Sequence, residues 1–490
     1  MHDEILGVFE SDAGRAAGEQ FLELTVRYLE QTRAGVVPVS TPNDAATLAL
    51  RFNEPLPRRG RPLNEVVARL ERDIVADANH LMHPMYMGHQ VSAPLPAAIW
   101  TEMVTAALNN STAVWEMSPT GTVIEHRLVR WLCELAGFGS ASGGTLTTGG
   151  TEATFTALLA ARSVALPDVW TNGLPADPPV VVYGEQAHYA VARAVGEMGL
   201  GMRNAIVVPT RDYRMDVDAL RATLDRLQSE SRTVMAVVAT AGSTPTGSFD
   251  DIDAIGRLCE KRGLWFHVDA AHGGSALFSA KHAAKMKGIE RASSIAWDPH
   301  KMMLMPLSAG VVLVKDERVL DGAFSQAAPY LFHGATSRGD RDWDQGKRSF
   351  LCSRRVDAIK LWVALQRYGA DGFGALYDRL CDTALVMQEM LVEHPDFTPL
   401  HVPESNILCF RWTGGPPSGE DERDAANLAI RERYNRSGDG WITTTVLDGR
   451  RVLRVTMMNP RTTPGHVARL VAGLASVGSA VRGPTGVPNG

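Results

Sequence analysis

Residues 293–306, with the sequence SSIAWDPHKMMLMP, place Lys301 between two apolar runs. A buried ammonium group loses its hydration, so a lysine in such a setting is usually paired, covalently modified or neutral. The neutral, desolvated amine is the form that bonds to a carbonyl carbon. For a lysine taken at random the commoner explanation is different: it lies at the end of an element, with a buried stem and its head in water.

A second apolar run strengthens the chemical interpretation of Lys301. Residues 264–269, LWFHVD, end in the carboxylate of Asp269. Pyridoxal 5′-phosphate (PLP) requires a lysine for its aldehyde and an acid for its pyridine nitrogen. Asp269 and Lys301, each following an apolar strand pattern, therefore predict a PLP site.

From residue 143 onwards, strand-like and helix-like patterns alternate along the chain. The predicted strands are 180–183, 205–208, 233–239, 264–268, 294–297 and 310–314, and the predicted helices between them are 188–200, 216–228 and 251–262. This alternation predicts an α/β fold with a doubly wound, mainly parallel sheet. Ligands bind such sheets beyond the carboxyl ends of the strands. His188, residues 240–244, Asp269 and Lys301 are all expected at those ends.

We predict four parts in the chain. They are an N-terminal helical arm (1–95), a PLP-binding large domain (96–370), a small C-terminal α+β domain (371–482) and a disordered tail (483–490). The tail is rich in Pro and Gly, which disfavours a packed core.

Composition excludes several classes of function. The 490 residues are 45% apolar and carry a net charge of -6 without a basic block, which argues against a nucleic-acid partner. The five cysteines show no CxxC spacing, as expected for free thiols in a reducing compartment. We see no secretory signal and no apolar run of the ~18 residues that span a membrane. We therefore expect a cytoplasmic protein.

Two further motifs allow more than one interpretation. The Gly- and Thr-rich residues 143–154 lead into a helix, where Gly150 and Thr151 leave backbone N–H groups available to an anion. An ordinary helix cap is the alternative. His80, His83 and His89 invite a metal site, but no Cys or carboxylate joins them at ligand spacing. We predict no metal.

Taken together, these stretches resemble the group II PLP-dependent amino acid decarboxylases, a family that includes glutamate, diaminobutyrate and aromatic amino acid decarboxylases. The similarity extends over most of the chain. Its most specific part is HVDAA at 267–271 followed by DPHK at 298–301. The resemblance implies a fold-type I enzyme with a mainly parallel sheet of seven strands. It also implies decarboxylation of an L-amino acid to its amine and carbon dioxide, within carboxylic acid and amino acid metabolism.

The resemblance also implies roles for individual residues around PLP. Lys301 forms the Schiff base with the aldehyde, Asp269 pairs with the pyridine nitrogen, and His188 lies over the ring. The other cofactor-binding residues implied are Gly150, Thr151, Thr244, Ala271 and His300. A solvent-facing position for His188 remains an alternative.

Tyr330 completes the implied catalytic set with Lys301, Asp269 and His188. It lies in a long polar connection and matches a loop tyrosine that returns a proton to Cα. The implied substrate-binding residues are Arg454, which suits a carboxylate, and His89, Gln90, Ser92 and Trp115. By the same resemblance the active unit is a homodimer with sites at its interface, and Trp115 reaches into the partner's site.

Alternatives to simple decarboxylation stay open from sequence alone. They are aminotransfer, oxidative decarboxylation to an aldehyde, and a non-catalytic PLP-binding homologue. The substrate also stays open, since His272 and Asp298 stand where several relatives carry other residues.

Overall fold

The computed structural model describes residues 2–324, 328, 331–332, 342–415 and 419–481. The chain forms two compact units. The first contains Met1–His89, Leu385–Leu400 and Cys409–Gly490, and the second contains Gln90–Ala384 and His401–Leu408. The four-part division expected from the sequence stays a prediction.

The helices and strands alternate through the second unit as the sequence predicts. The helices are α1 (His2–Asp12), α2 (Arg15–Ala34), α3 (Ala45–Arg51), α4 (Leu63–Leu70), α5 (Pro96–Leu108), α6 (Pro119–Leu135), α7 (Gly150–Ala165), α8 (Val169–Asn172), α9 (Ala190–Glu197), α10 (Val217–Ser229), α11 (Ile252–Arg262), α12 (Val319–Ala323), α13 (Ala358–Glu393), α14 (Glu420–Ser437) and α15 (Pro464–Val481). The strands are β1 (Gly143–Thr147), β2 (Val180–Gly184), β3 (Ala205–Val208), β4 (Thr210–Arg211), β5 (Arg214–Met215), β6 (Val234–Thr240), β7 (Trp265–Asp269), β8 (Ser294–Trp297), β9 (Gly310–Val314), β10 (Phe397–Pro399), β11 (Ile407–Trp412), β12 (Thr443–Leu447) and β13 (Arg450–Thr456).

A seven-stranded sheet organises the second unit. Its strand order is β1-β9-β8-β7-β6-β2-β3. Strand β9 is antiparallel to both of its neighbours, and the pairs from β8 to β3 are parallel. This arrangement confirms the predicted α/β class and the mainly parallel sheet.

Burial on both faces explains why the strands read as continuous apolar runs. Every residue of β8 and β9 is buried. Helix α7 packs over this part of the sheet through Ala153 and Ala157, which cluster with Ala296 and Val312. Small side chains on α7 let its backbone, and hence its first turn, come close to the strand ends.

The structure differs from the predicted elements at two places, strand β1 and the start of α7. Strand β1 was not predicted, because its sequence GGTLT has little strand character. Gly144 is required there, since a Cβ would lie 2.0 Å from the carbonyl oxygen of Val312 on β9. The apolar pattern also predicts a helix from residue 153, and α7 begins three residues earlier, at Gly150. The two helices that the pattern predicts at 354–369 and 372–393 are confirmed, because α13 consists of two helices that meet at Gly369, whose φ of 67° is not helical.

The first unit contains a smaller sheet of four strands in the order β10-β11-β13-β12. Its pairs β10–β11 and β12–β13 are antiparallel. Helices α14 and α15 pack on each other, and α14 packs on β13. Among the described residues, none of the helices is long and apolar enough to cross a membrane.

Candidate active site

Five strands of the large sheet end around one cavity of about 350 Å³ in the second unit. Strands β1, β2, β6, β7 and β8 each deliver a polar segment just after their carboxyl ends. All eight residues predicted to bind the cofactor line this cavity: Gly150, Thr151, His188, Thr244, Asp269, Ala271, His300 and Lys301. The cavity volume is in the range of small-molecule sites, about 300–1,000 Å³.

Lys301 lies at the end of the tight turn that follows β8. Its Nζ is 3.0 Å from Oδ2 of Asp298, and its side chain is 19% exposed. The next four residues, Met302 to Met305, are buried. Among them Leu304 has φ of +54°, a strained conformation for a bulky residue. The apolar flank therefore anchors the backbone, while the amine remains in the cavity.

Asp269 is the last residue of β7 and is buried. Its Oδ1 accepts a hydrogen bond from the amide of Ala271 at 3.1 Å. Burial raises the pKa of the Asp269 carboxyl, and the nearby Lys301, the Ala271 amide and His188 oppose that rise. A buried carboxylate of this kind favours a cationic partner in the cavity.

His188 and His300 approach the cavity in fixed orientations. The Nδ1 of His188 accepts from the amide of Ala190 at 3.2 Å, so the neutral ring carries its proton on Nε2. Burial lowers the pKa of His188, and the Asp269 carboxylate opposes the shift. The Nδ1 of His300 likewise accepts from the amide of Ala309 at 3.1 Å. Burial also lowers the pKa of His300.

The start of α7 forms the remaining wall. Gly149 precedes the helix, and Gly150 is its first residue. A Cβ on Gly150 would lie 2.9 Å from the Cβ of Ala271 and 2.9 Å from Oδ2 of Asp298. Glu152 folds back to accept from the amide and hydroxyl of Thr148, at 2.8 and 2.6 Å. This glycine-lined helix start leaves backbone N–H groups for an anion.

The residues present fit PLP. The cavity contains an amine, a buried carboxylate, an oriented imidazole and a helix start without bulky side chains. PLP requires these four features for its aldehyde, pyridine nitrogen, ring face and phosphate, respectively.

Three predicted substrate-binding residues belong to the second unit but do not line this cavity. Ser92 is buried, and its hydroxyl donates to the carbonyl of His300 at 3.0 Å. Trp115 donates its backbone N–H to Asp344 and packs near the ring of Trp343. Gln90 has a buried Nε2 with no hydrogen-bond partner within the described ranges. Ser92 thus braces the turn before Lys301.

The other two predicted substrate-binding residues, His89 and Arg454, belong to the first unit. Burial lowers the pKa of His89, and the positive charges of Arg454 and Arg431 lower it further. Arg454 is buried and donates to the hydroxyl of Thr443 at 3.3 Å. Over the residues described here, no group of three or more His, Cys, Asp or Glu side chains is arranged to bind a metal.

Tyr330 and the predicted tail at 483–490 lie outside the described residues. Four further residues that line the cavity received no individual role from the sequence: Thr148, Gly149, Glu152 and Tyr189. The position of Glu152, three residues after the helix cap, could have found it, because that is the capping-box spacing. Thr240 and Gly242 belong to the segment 240–244 that was expected at the strand ends, and both line the cavity. His272 and Asp298, where several relatives carry other residues, line it as well.

The fold and this cavity define a PLP-dependent enzyme of fold-type I. A family model described as the pyridoxal-dependent decarboxylase conserved domain matches residues 46–413, and the chain belongs to this family.

Curated relatives extend the similarity over nearly the whole chain. An L-2,4-diaminobutyrate decarboxylase of Rhizobium meliloti is 31% identical over 96% of this chain and 93% of its own length. An L-aspartate decarboxylase of Metarhizium robertsii is 31% identical over 90% of this chain and 88% of its own. A solved structure is the glutamate decarboxylase domain of the diaminobutyrate-pyruvate transaminase and L-2,4-diaminobutyrate decarboxylase from Vibrio parahaemolyticus. It is 27% identical, covers 96% of this chain and 97% of its own, and has a TM-score of 0.84.

The activity follows from the family. The protein is a PLP-dependent carboxy-lyase that decarboxylates an amino acid. These relatives do not favour aminotransfer, aldehyde formation or a non-catalytic role.

Proposed function

We propose that the cavity of the second unit carries out the decarboxylation and that Lys301 bonds to the cofactor aldehyde. The observation that carries the proposal is the common cavity shared by the Lys301 amine and the buried Asp269 carboxylate. Bound PLP supplies an electron-accepting ring for the electron pair that the departing carboxylate leaves behind.

Asp269 has the task of keeping the pyridine nitrogen protonated. A carboxylate at the end of a rigid strand stabilises a positive charge beside it without having to reorganise. Its raised pKa is the cost of burial, which a cationic partner offsets. The Ala271 amide holds the carboxylate in one orientation, and the methyl group of Ala271 lines the cavity, where it would contact the bound ring.

His188 lines the cavity and would cover one face of the bound ring and exclude water there. The backbone hydrogen bond to its Nδ1 keeps the proton on Nε2, so that this N–H would be available as a donor beside the ring. The start of α7, with Gly150 and Thr151, binds the phosphate through backbone N–H groups and a hydroxyl. Thr244 and His300 complete the lining.

Other residues bind the substrate or return its proton. Arg454 binds the α-carboxylate through its planar guanidinium, and Tyr330 returns a proton to Cα after carbon dioxide leaves. His89, Gln90, Ser92 and Trp115 contribute to the substrate side. Expulsion of water from the cavity favours the protonation of Cα over side reactions.

The substrate is an L-amino acid with a charged side chain. The named activities of two relatives, on diaminobutyrate and on aspartate, support this class over aromatic substrates. The polar lining of the cavity, with His272 and Glu152, supports it as well.

The active form is a cytoplasmic homodimer. Four apolar side chains on α1 support a face that a second copy covers: Ile5, Leu6, Val8 and Phe9 are 46–60% exposed in the single chain. The structure describes all five cysteines and none forms a disulfide, which suits a reducing compartment. Sedimentation of the wild-type protein and of a Leu6→Asp/Phe9→Asp variant tests the dimer, which the variant should weaken.

Carbon dioxide release tests the proposed chemistry directly. We expect release from 2,4-diaminobutyrate or aspartate and none from tryptophan. Lys301→Ala should abolish it and also abolish the visible absorbance of bound PLP, whereas the exposed Lys287→Ala should leave both unchanged. Turnover near the wild-type rate in Lys301→Ala would refute the role of Lys301, and turnover of tryptophan alone would refute the substrate class.

A further inference from the structure

Asp298 is the ion-pair partner of Lys301 in the cavity. It follows β8, and its side chain is 2% exposed. The Oδ2 atom is 3.0 Å from Nζ of Lys301 and 3.5 Å from Nε2 of His300. The Oδ1 atom is buried and has no hydrogen-bond partner in the described part of the chain. A buried oxygen atom without a hydrogen bond costs free energy of folding, so a carboxylate in this state indicates a role other than stabilising the fold.

The same carboxylate lies against the start of α7. A Cβ added to Gly150 would be 2.9 Å from Oδ2 of Asp298. Gly150 is the first residue of that 16-residue helix, where the N–H groups of the first turn attract an anion. Asp298 therefore already lies beside the position proposed for the cofactor phosphate.

Two electrostatic consequences follow from this placement. Two unit charges of like sign about 4 Å apart repel by ~4 kcal/mol at an effective dielectric constant of 20, so the Asp298 carboxylate opposes a phosphate. The Oδ2 atom of Asp298 also lies 3.0 Å from Nζ of Lys301. Lys301 must leave this contact before its amine can bond to an aldehyde carbon.

We propose that Asp298 is a positioning residue that restrains cofactor loading: it pairs with the Lys301 side chain and opposes the phosphate at the start of α7. The inference rests on the proposed function of this cavity. For the covalent step, the ammonium proton goes to solvent, the amine nitrogen bonds to the aldehyde carbon, and the aldehyde oxygen leaves as water. Asp298 slows this step, because Lys301 must first leave its contact with the carboxylate.

The neutral variant Asp298→Asn isolates this effect, since Asn has nearly the same shape. The other titratable side chains that line the cavity are unchanged by the substitution: Glu152, His188, Tyr189, Asp269, His272 and His300. Asp298→Ser provides a second neutral replacement if the first folds poorly. Asp225→Asn is the matched control, because Asp225 pairs with Arg262 and its side chain is 61% exposed.

The test uses cofactor-free protein and two non-aldehyde probes. Pyridoxine 5′-phosphate has the ring and the phosphate but cannot bond to Lys301, and pyridoxine lacks the phosphate as well. Calorimetric titration should give at least about tenfold tighter binding of pyridoxine 5′-phosphate by the neutral variants, equivalent to relief of ~1.4 kcal/mol. Pyridoxine binding should not change. Stopped-flow absorbance after addition of PLP should show faster Schiff-base formation in the neutral variants.

The possible outcomes distinguish the role of Asp298 from the existence of the cofactor site. Equal or weaker binding of pyridoxine 5′-phosphate by both neutral variants, with unchanged rates, would overturn the role of Asp298 and leave the cofactor site intact. An equal gain for pyridoxine would also overturn it, because the effect would not involve the phosphate. Failure of wild-type protein to bind pyridoxine 5′-phosphate or PLP would overturn the cofactor site and this inference together.

Discussion

The substitution Gly150→Ala tests the contact between the first turn of α7 and the floor of the cavity. The added Cβ would lie 2.9 Å from the Cβ of Ala271 and 2.9 Å from Oδ2 of Asp298. Carbon atoms pack best at about 3.5–4.0 Å, so the first contact is short by at least about 0.6 Å. Neither neighbour can yield easily, because one is a methyl group fixed to the backbone and the other is buried in an ion pair.

The magnitude follows from the cost of overpacking. Alanine favours a helix over glycine by at most about 1 kcal/mol, but this gain is the same with and without PLP and does not change the binding energy. Overpacking a tight site costs about 1–3 kcal/mol, and the strain is relieved only if the start of α7 moves away from Ala271. That movement displaces the proposed phosphate site, so we expect PLP to bind about 5- to 150-fold more weakly, at tenfold for each 1.4 kcal/mol.

The assay is a titration of cofactor-free protein with PLP, followed by the visible absorbance of the bound cofactor. Gly139→Ala is the matched control, because nothing lies within 4 Å of a Cβ at that position. We expect the control to match the wild-type protein. A dissociation constant for Gly150→Ala within a factor of two of the wild-type value would refute the steric reasoning.

Three further predictions concern stability, pH and reaction outcome. Arg354→Met should lower the free energy of unfolding by about 3–5 kcal/mol in denaturant titrations, because it leaves the carboxylate of Glu125 buried and unpaired; the exposed Arg226→Met should change it by less than about 1 kcal/mol. Burial raises the pKa of Asp250 from 3.8 to about 6. The protonated carboxyl therefore stabilises the fold fully below pH 3.8, and this contribution is lost as pH rises through about 6. The loss in the free energy of unfolding is about 3 kcal/mol, at ~1.4 kcal/mol for each pKa unit. Asp250→Asn should remove this pH dependence from urea midpoints measured between these two pH values. Tyr330→Phe should slow amine release or yield aldehyde, as product chromatography would show; unchanged amine formation would reject Tyr330 as the proton donor.

The apolar periodicity of the chain was sufficient for the α/β class, because strands buried on both faces must be apolar throughout. It failed for β1, where Gly144 is present to admit the backbone of β9 and not to favour a strand. It succeeded within α13, because the gap predicted between helices 354–369 and 372–393 falls at Gly369, whose φ of 67° breaks the helix.

The sequence by itself determined the cofactor chemistry, since Asp269 and Lys301 each follow a strand pattern and, with the glycine-rich turn at Gly150, have the functional groups PLP needs. Only the tertiary structure decided what those groups touch. Asp298 lies three residues before Lys301 in the sequence, but its closeness to Gly150 depends on β1 and β8 being separated by a single strand, β9. The sequence could not show that the hydroxyl of Ser92 donates to the carbonyl of His300. The residue type fixes which interactions a side chain can make, but the fold determines which partners come within reach.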